Sequence, residues 1–282
     1  MHLILGQTLG IEPDQLLPWD SCSQVTNLAA QIEKLHRGEQ VNHETKAIFF
    51  DHGNTLRFVV KDAAFQAQAK QQLATLVGAQ EPPDVFYKRL VERYKVCRKQ
   101  AKETLIETSE KELWTRWMLP DWPSDKIAPL AGELTRLWRA RDGRRVARPD
   151  TGQVIIELAQ RGYCLGIIAN TITESEIPDW LEEAGLTQYF ETVILSSIFG
   201  RRKPGPDIYL EATGQAGVDP AQSIYIGDNP SRDITGARLA GFASVIILME
   251  PATLAKEPPT GDEKPDAVIH ELSELLDIFP AL

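Results

Sequence analysis

Cysteine is scarce in this chain of 282 residues: Cys22, Cys97 and Cys164 are odd in number and share no CxxC or Cys/His spacing. That pattern speaks against both a disulfide framework and a thiolate zinc site, and it predicts a reducing, cytoplasmic setting. Long apolar runs are missing too. No stretch approaches the roughly 20 residues that a membrane helix needs, so no membrane partner is expected. The start, Met1-His-Leu-Ile-Leu-Gly6, has no basic segment and soon meets Glu12 and Asp14, unlike a secretory signal. Positive charge is in deficit, with 30 Lys+Arg against 40 Asp+Glu and a net charge of −10, which argues against nucleic acid as a general partner. Among the five histidines, His2, His36, His43 and His270 lack ligand spacing and read as surface or packing residues. What is present suits an enzyme: 43% hydrophobic and 25% charged residues supply a full core, as one large domain or two smaller ones.

The missing positive charge is unevenly spread. Residues 57–147 carry 18 Lys/Arg against 12 Asp/Glu, leaving a balance of −16 on the remainder. Two runs concentrate it, Tyr87 to Lys99 and Arg136 to Arg145. A basic helix face is either solvated or a lid that draws an anionic substrate toward an acidic floor. Apolar spacings of three and four predict helices over Asp62–Val77, Pro83–Leu105, Ser109–Met118 and Ala128–Arg141, with breaks at Gly78, Pro82-Pro83 and Pro120 to Pro123. From Arg148 onward strands and helices alternate. Strands are expected over Tyr163–Asn170, Thr192–Ser197, Ser223–Asp228 and Ala243–Leu248, and helices over Thr151–Arg161, Ile177–Ala184, Pro206–Gln215 and Asp233–Ala240. Such alternation implies parallel pairing through right-handed crossovers. Glu250 to Lys264 is rich in proline and polar residues and reads as a loop before a last strand and helix over Ala267–Ile278. The predicted architecture is a doubly wound parallel α/β core, residues 46–56 and 148–282, with an all-helical cap inserted over 57–147. Residues 1–45 form an extension, with one amphipathic helix over Thr26–Gly38, whose task the sequence does not disclose.

The chemistry gathers where apolar strands stop at acids. Lys46-Ala-Ile-Phe-Phe-Asp51 is a buried strand that delivers a carboxylate to a sheet edge, followed by His52-Gly53-Asn54-Thr55. Ser223-Ile-Tyr-Ile-Gly-Asp228 repeats the pattern, with Asp233 five residues on. Three acids so placed can surround one hard cation. Between them lie a strand ending in Asn170-Thr171 and a proline-stiffened loop, Arg201-Arg-Lys203-Pro-Gly-Pro206. These four segments, in this order, resemble the motifs of the haloacid dehalogenase superfamily, and the resemblance runs from about Lys46 to Phe279. It implies the doubly wound core with a cap between the first two motifs, and a hydrolase, most often a phosphatase.

By that resemblance Asp51 is the nucleophile that forms an aspartyl-phosphate. Asp51, the backbone carbonyl of Gly53, Asp228 and Asp233 match the holders of magnesium. Lys203 matches the lysine that offsets charge on the nucleophile and the transferred group. Asn170, Thr171 and the His52–Asn54 loop fall at the phosphate-binding positions. Two positions depart from the family pattern. The leaving-group acid expected two residues after the nucleophile is Gly53, and a hydroxyl expected in the second motif is replaced by Ala169. The expectation is therefore a magnesium-dependent phosphatase for a small anionic phosphorylated molecule. The alternatives are a dehalogenase; a phosphonate hydrolase drawing a Schiff-base lysine from Lys61, Lys70, Lys88, Lys95, Lys99 or Lys102; and a catalytically weak relative that binds a phospho-ligand or protein. Neither the substrate nor the oligomeric state is legible.

Overall fold

The structure, a computed structural model, describes residues 45–256, 259, 261 and 264–282. The expected extension up to Glu44, with its helix over Thr26–Gly38, lies outside the described residues. Among the described residues eight strands follow in chain order: β1 (Ala47–Phe50), β2 (Arg57–Val60), β3 (Arg144–Ala147), β4 (Cys164–Ala169), β5 (Thr192–Leu195), β6 (Ser223–Gly227), β7 (Ser244–Leu248) and β8 (Ala267–Ile269). Six of them form one parallel sheet in the order β5-β4-β1-β6-β7-β8. Every residue of β1, β6 and β7 is buried, as their uninterrupted apolar runs require of strands covered by helices on both faces.

The chain leaves β1, builds β4 and β5 on one side, then returns to build β6, β7 and β8 on the other. β1 is thus the switch point of the sheet, where the carboxyl ends of neighbouring strands leave a crevice. Its register sets Phe50 against Ile167 of β4 and Ile226 of β6, and the ladder continues as the Asp51 amide donates to the Ile226 carbonyl at 2.8 Å. The residues just beyond β1, β4 and β6 consequently meet at one edge.

Between β1 and β4 stands a helical insertion with its own core. Its main helices are Ala63–Leu76, Pro83–Thr104 and Ala131–Ala140. Asp62 caps the first by accepting from the Phe65 amide at 2.9 Å, and Pro83 opens the second at a position that needs no amide hydrogen. Trp114, Trp138, Phe86, Leu90 and Leu134 are fully buried in its centre, and among the described residues only Ile172 joins them from outside the insertion. Each such large apolar side chain contributes about 1.5–3 kcal/mol on burial, ample for a cluster separate from the sheet's.

Two segments differ from the expectation. The stretch 57–147 is not helical throughout: it begins and ends in an antiparallel ribbon, β2 with β3, that pairs Arg57 with Ala147 and Val60 with Arg144. Strands of four residues, half of them arginine at β3, carry too little alternation to register as strands in sequence. The supposed loop after Glu250 contains the helix Pro251–Lys256, started by a proline at its first position. Among the described residues no helix is long and apolar enough to cross a membrane.

Candidate active site

Asp51 sits immediately after β1 and is almost wholly buried. Lys203 Nζ donates to its Oδ1 at 2.8 Å, and Arg232 Nη2 to its Oδ2 at 3.0 Å. Burial alone would raise the Asp51 pKa, but the two cations outweigh it and hold the carboxyl below its usual range. A carboxylate kept anionic at the bottom of a crevice has the charge state of a nucleophile.

Lys203 is sequestered, and its ammonium is shared among Asp51, Asp233 Oδ1 at 2.9 Å and the Tyr225 hydroxyl at 2.5 Å. Asn170 locks the backbone that presents it. The Lys203 amide donates to Asn170 Oδ1 and the Asn170 amide group donates back to the Lys203 carbonyl, both at 2.9 Å. Asn170 was expected at a phosphate-binding position, but the structure commits both polar ends of its side chain to Lys203. Thr171 is likewise engaged: its backbone amide donates to Ser196 Oγ at 2.9 Å and its hydroxyl oxygen accepts from the Thr173 amide at 3.1 Å.

Asp228 follows β6, and Asp233 is folded underneath it. Oδ2 of Asp233 accepts from the amides of Asp228 and Asn229 at 3.2 and 3.0 Å. Gly227 makes this possible, because a Cβ there would lie 2.5 Å from that same oxygen. Oxygens of Asp51, Asp228 and Asp233 come within 4.8 Å of one another. Burial and the Asp51 charge push the Asp228 carboxyl upward, the expected consequence of crowding carboxylates in one place.

The sequence reading missed the group that spans them. Arg232 Nη2 donates to Asp51, to Asp228 Oδ1 at 2.8 Å and to Asp233 Oδ2 at 3.1 Å, while its Nε donates to Asp233 Oδ1 at 3.0 Å. Asn229 caps the turn that carries it by accepting from the Arg232 amide at 3.0 Å. The available signal was spacing, since Arg232 lies one helical turn after Asp228. Asn54 was also assigned only in part. With φ of 60° it occupies the left-handed region that asparagine tolerates, and its side chain donates to Asp228 Oδ2 at 3.1 Å.

His52 faces away from proton chemistry. Its ring packs edge-on against Trp180 at 5.2 Å, and burial with the nearby Arg57 drives its pKa down to about 3. No imidazolium is available there to replace the acid absent at Gly53. Gly53 itself lines the crevice, and a Cβ built on it would meet nothing within 4 Å.

These residues enclose a cavity of about 130 Å³ lined by Asp51, His52, Gly53, Asn54, Asn170, Thr171, Asp228 and Arg232, with Ala169, Ile177 and Arg139 completing the wall. Of the basic runs, only Arg136–Arg145 reaches this cavity, through Arg139. In the other run Arg89 pairs with Glu81, Arg93 with Asp121 and Arg98 with Glu107. None of Lys61, Lys70, Lys88, Lys95, Lys99 or Lys102 lines the cavity.

Fold and site together define a parallel α/β protein with an acidic centre at the switch point of its sheet. The chain belongs to the haloacid dehalogenase-like hydrolases, whose family profile matches residues 75–247. It is 33% identical over 136 residues to the glyceraldehyde 3-phosphate phosphatase of Methanopyrus kandleri, a match spanning 48% of this chain and 57% of that one. A ribulose-1,5-bisphosphate 5-phosphatase from Halopiger xanaduensis is 24% identical over 268 residues, 93% of this chain and 94% of the other. Among solved structures, a 2-haloacid dehalogenase from Pseudomonas syringae pv. Tomato superposes with a TM-score of 0.60 at 25% identity, covering 83% of this chain and 97% of that one.

Proposed function

We propose that this hydrolase is a magnesium-dependent phosphatase acting on a small phosphorylated metabolite through an aspartyl-phosphate on Asp51. The observation that carries this reading is the buried, ionised Asp51 carboxylate held between Lys203 and Arg232 at the base of an open polar cavity. The named phosphatases among its relatives support the same class.

The donor set suits magnesium: three carboxylates converge, all ligands are oxygen, and a guanidinium spans the cluster, so the place already demands positive charge. Asp51, Asp228, Asp233 and the Gly53 carbonyl would hold the ion, which when bound neutralises charge on the phosphoryl oxygens. Asp51 Oδ2 attacks phosphorus in line with the departing oxygen while Lys203 offsets the negative charge shared between nucleophile and transferred group. Water then cleaves the acyl phosphate and frees Asp51. With Gly53 and a neutral, buried His52, neither position donates a proton to the leaving oxygen, so the leaving group must be stable as an anion or bring its own acid.

Carbon–halogen hydrolysis needs no leaving-group proton, and Gly53 keeps it as the second reading. The convergence of Asp228 and Asp233 on Asp51 argues against it, because displacement of halide by Asp51 needs no cation for the three carboxylates to hold. Phosphate release from a panel of aryl, acyl and sugar phosphates, with magnesium or with chelator, tests the first reading, and chloride release from 2-chloro acids tests the second. Magnesium-dependent phosphate release should fall at least 10³-fold in Asp51→Asn, since an amide is a far poorer nucleophile of nearly the same shape, while the circular dichroism spectrum is kept. Undiminished turnover in that variant sinks the role of Asp51.

A further inference from the structure

The cavity above Asp51 has a second cationic wall that the phosphoryl chemistry leaves unused. Arg139, near the end of helix Ala131–Ala140 in the insertion, lines the cavity but makes no hydrogen bond to Asp51, Asp228 or Asp233. Its Nε and Nη2 both donate to Glu176, the latter at 3.3 Å, while its Nη1 donates to no described residue. A guanidinium has two edges that can each grip an anion bidentately, and Glu176 occupies only one of them.

Glu176 is also shared. Arg145 Nε lies 3.3 Å from it and Arg57 Nη1 lies 3.8 Å away, so three guanidinium groups converge on a single carboxylate. Asp142, 43% exposed, pairs with Arg141 as well as Arg145, while Glu183 acts on Arg57 and Glu110 on Arg139 only through space. The side chains of Arg57, Arg139 and Arg145 are only 13–19% exposed, so water and salt screen their charge weakly.

Resting on the phosphatase reading, we infer that Arg139, backed by Arg57 and Arg145, is the specificity-determining residue, and that it receives a second anionic group, carboxylate or phosphate, carried by the substrate. The phosphoryl group that reacts must lie against Asp51, where Lys203 and Arg232 already reach. The free edge of Arg139 is then left for the far end of the same molecule. A cavity of about 130 Å³ with Asp51 and Arg139 both in its wall fits a short carbon chain between two anionic ends, so the substrate class is a compact phosphorylated acid or bisphosphate.

The test is calorimetric binding, with magnesium present, of three chain-matched methylene phosphonates that do not turn over and that end in a carboxylate, a second phosphonate or a hydroxyl. Wild-type protein should bind at least one of the two anion-ended analogues roughly 10- to 100-fold more tightly than the hydroxyl analogue, as charged hydrogen bonds allow. The tighter of the two identifies the distal group. Arg139→Met should erase that ratio, and Arg139→Lys, which keeps charge but loses the fork, should restore part of it. Equal affinities across the three analogues in the wild type, or a ratio that survives in Arg139→Met, overturns the assignment. Since the wild-type ratio decides by itself, misfolding of a variant does not shield the inference. Aryl phosphate turnover by the wild type, measured alongside, reports on the phosphatase reading separately: its absence with discrimination intact would fault the chemistry and not the subsite.

Discussion

Gly53 concentrates the question of what this enzyme can hydrolyse. Its backbone is not in the left-handed region and a side chain there would have open space, so the glycine is required neither by the turn nor by packing. The missing acid is therefore a chemical choice that can be reversed. Wild-type rates should depend steeply on leaving-group pKa, with aryl and acyl phosphates far ahead of sugar phosphates. Gly53→Asp should flatten that slope by speeding the poor leaving groups about 10²–10⁴-fold. A graded series of phosphate monoesters, run on both proteins with magnesium, measures it; a flat wild-type series with chemistry rate-limiting would mean that another group already donates the proton. Arg232 is the neighbouring instance of a residue whose role depends on place. Four hydrogen bonds to three carboxylates raise its own pKa above the ordinary value, against the effect of burial, so it is a permanent cation in this cluster.

The long helix Pro83–Thr104 meets the α/β core through one buried acid. Leu105 turns the chain out of the helix at φ of 56°, the Glu107 amide donates to the Gly200 carbonyl at 3.0 Å and the Arg202 amide donates back to the Leu105 carbonyl at 3.2 Å. The Glu107 side chain has no exposure, accepts from Arg98 Nη1 at 2.7 Å, and lies 3.3 Å from Arg202 Nη1 as an ion pair without hydrogen-bond alignment. The same segment leads directly into Lys203, so the insertion is fastened beside the lysine that pairs with Asp51. Glu107→Ala would leave two largely buried guanidinium groups unpaired, at a cost of about 3 kcal/mol and on the order of 10 °C in Tm. Hydrogen exchange should quicken first at the amides of residues 107 and 202. A variant with unchanged Tm and unchanged protection there would show that the helix is held by apolar contacts alone.

The separate apolar clusters make the insertion removable in principle. Among the described residues only Ile172 crosses from the α/β part into the insertion's core, and the ribbon that joins the two ends with Val60 opposite Arg144. Replacing residues 61–143 by an Asn-Gly turn should close β2 and β3 as a hairpin and leave a protein that unfolds cooperatively, because such a turn matches the twist of paired strands. Loss of Arg139 with the insertion should at the same time relax discrimination among phosphate esters. An insoluble or molten product, with the exposed Ile172 changed to threonine as a control, would count against this division. The order of elements was readable in advance for a local reason. Whether a segment is apolar in every residue or at every third and fourth is decided by near neighbours, so β1, β4, β6 and the helices of the insertion could be read directly, and so could the acids Asp51 and Asp228 at the strand ends. Strands β2 and β3 escaped because each has four half-exposed or exposed residues and its partner lies more than eighty positions away. Which side chains meet is a different kind of fact. Asp51, Lys203 and Arg232 are brought into contact by the switch point of a parallel sheet, and Arg139 by an insertion folding back over it. No spacing along the chain encodes those distances. The sequence alone determined the kinds of elements, their order and the acids that end the strands, because these follow from short-range sterics and burial. The tertiary structure alone decided that Arg232 spans the carboxylates, that Asn170 serves Lys203 and that Arg139 looks into the cavity, because convergence of remote groups exists only once the chain has closed upon itself.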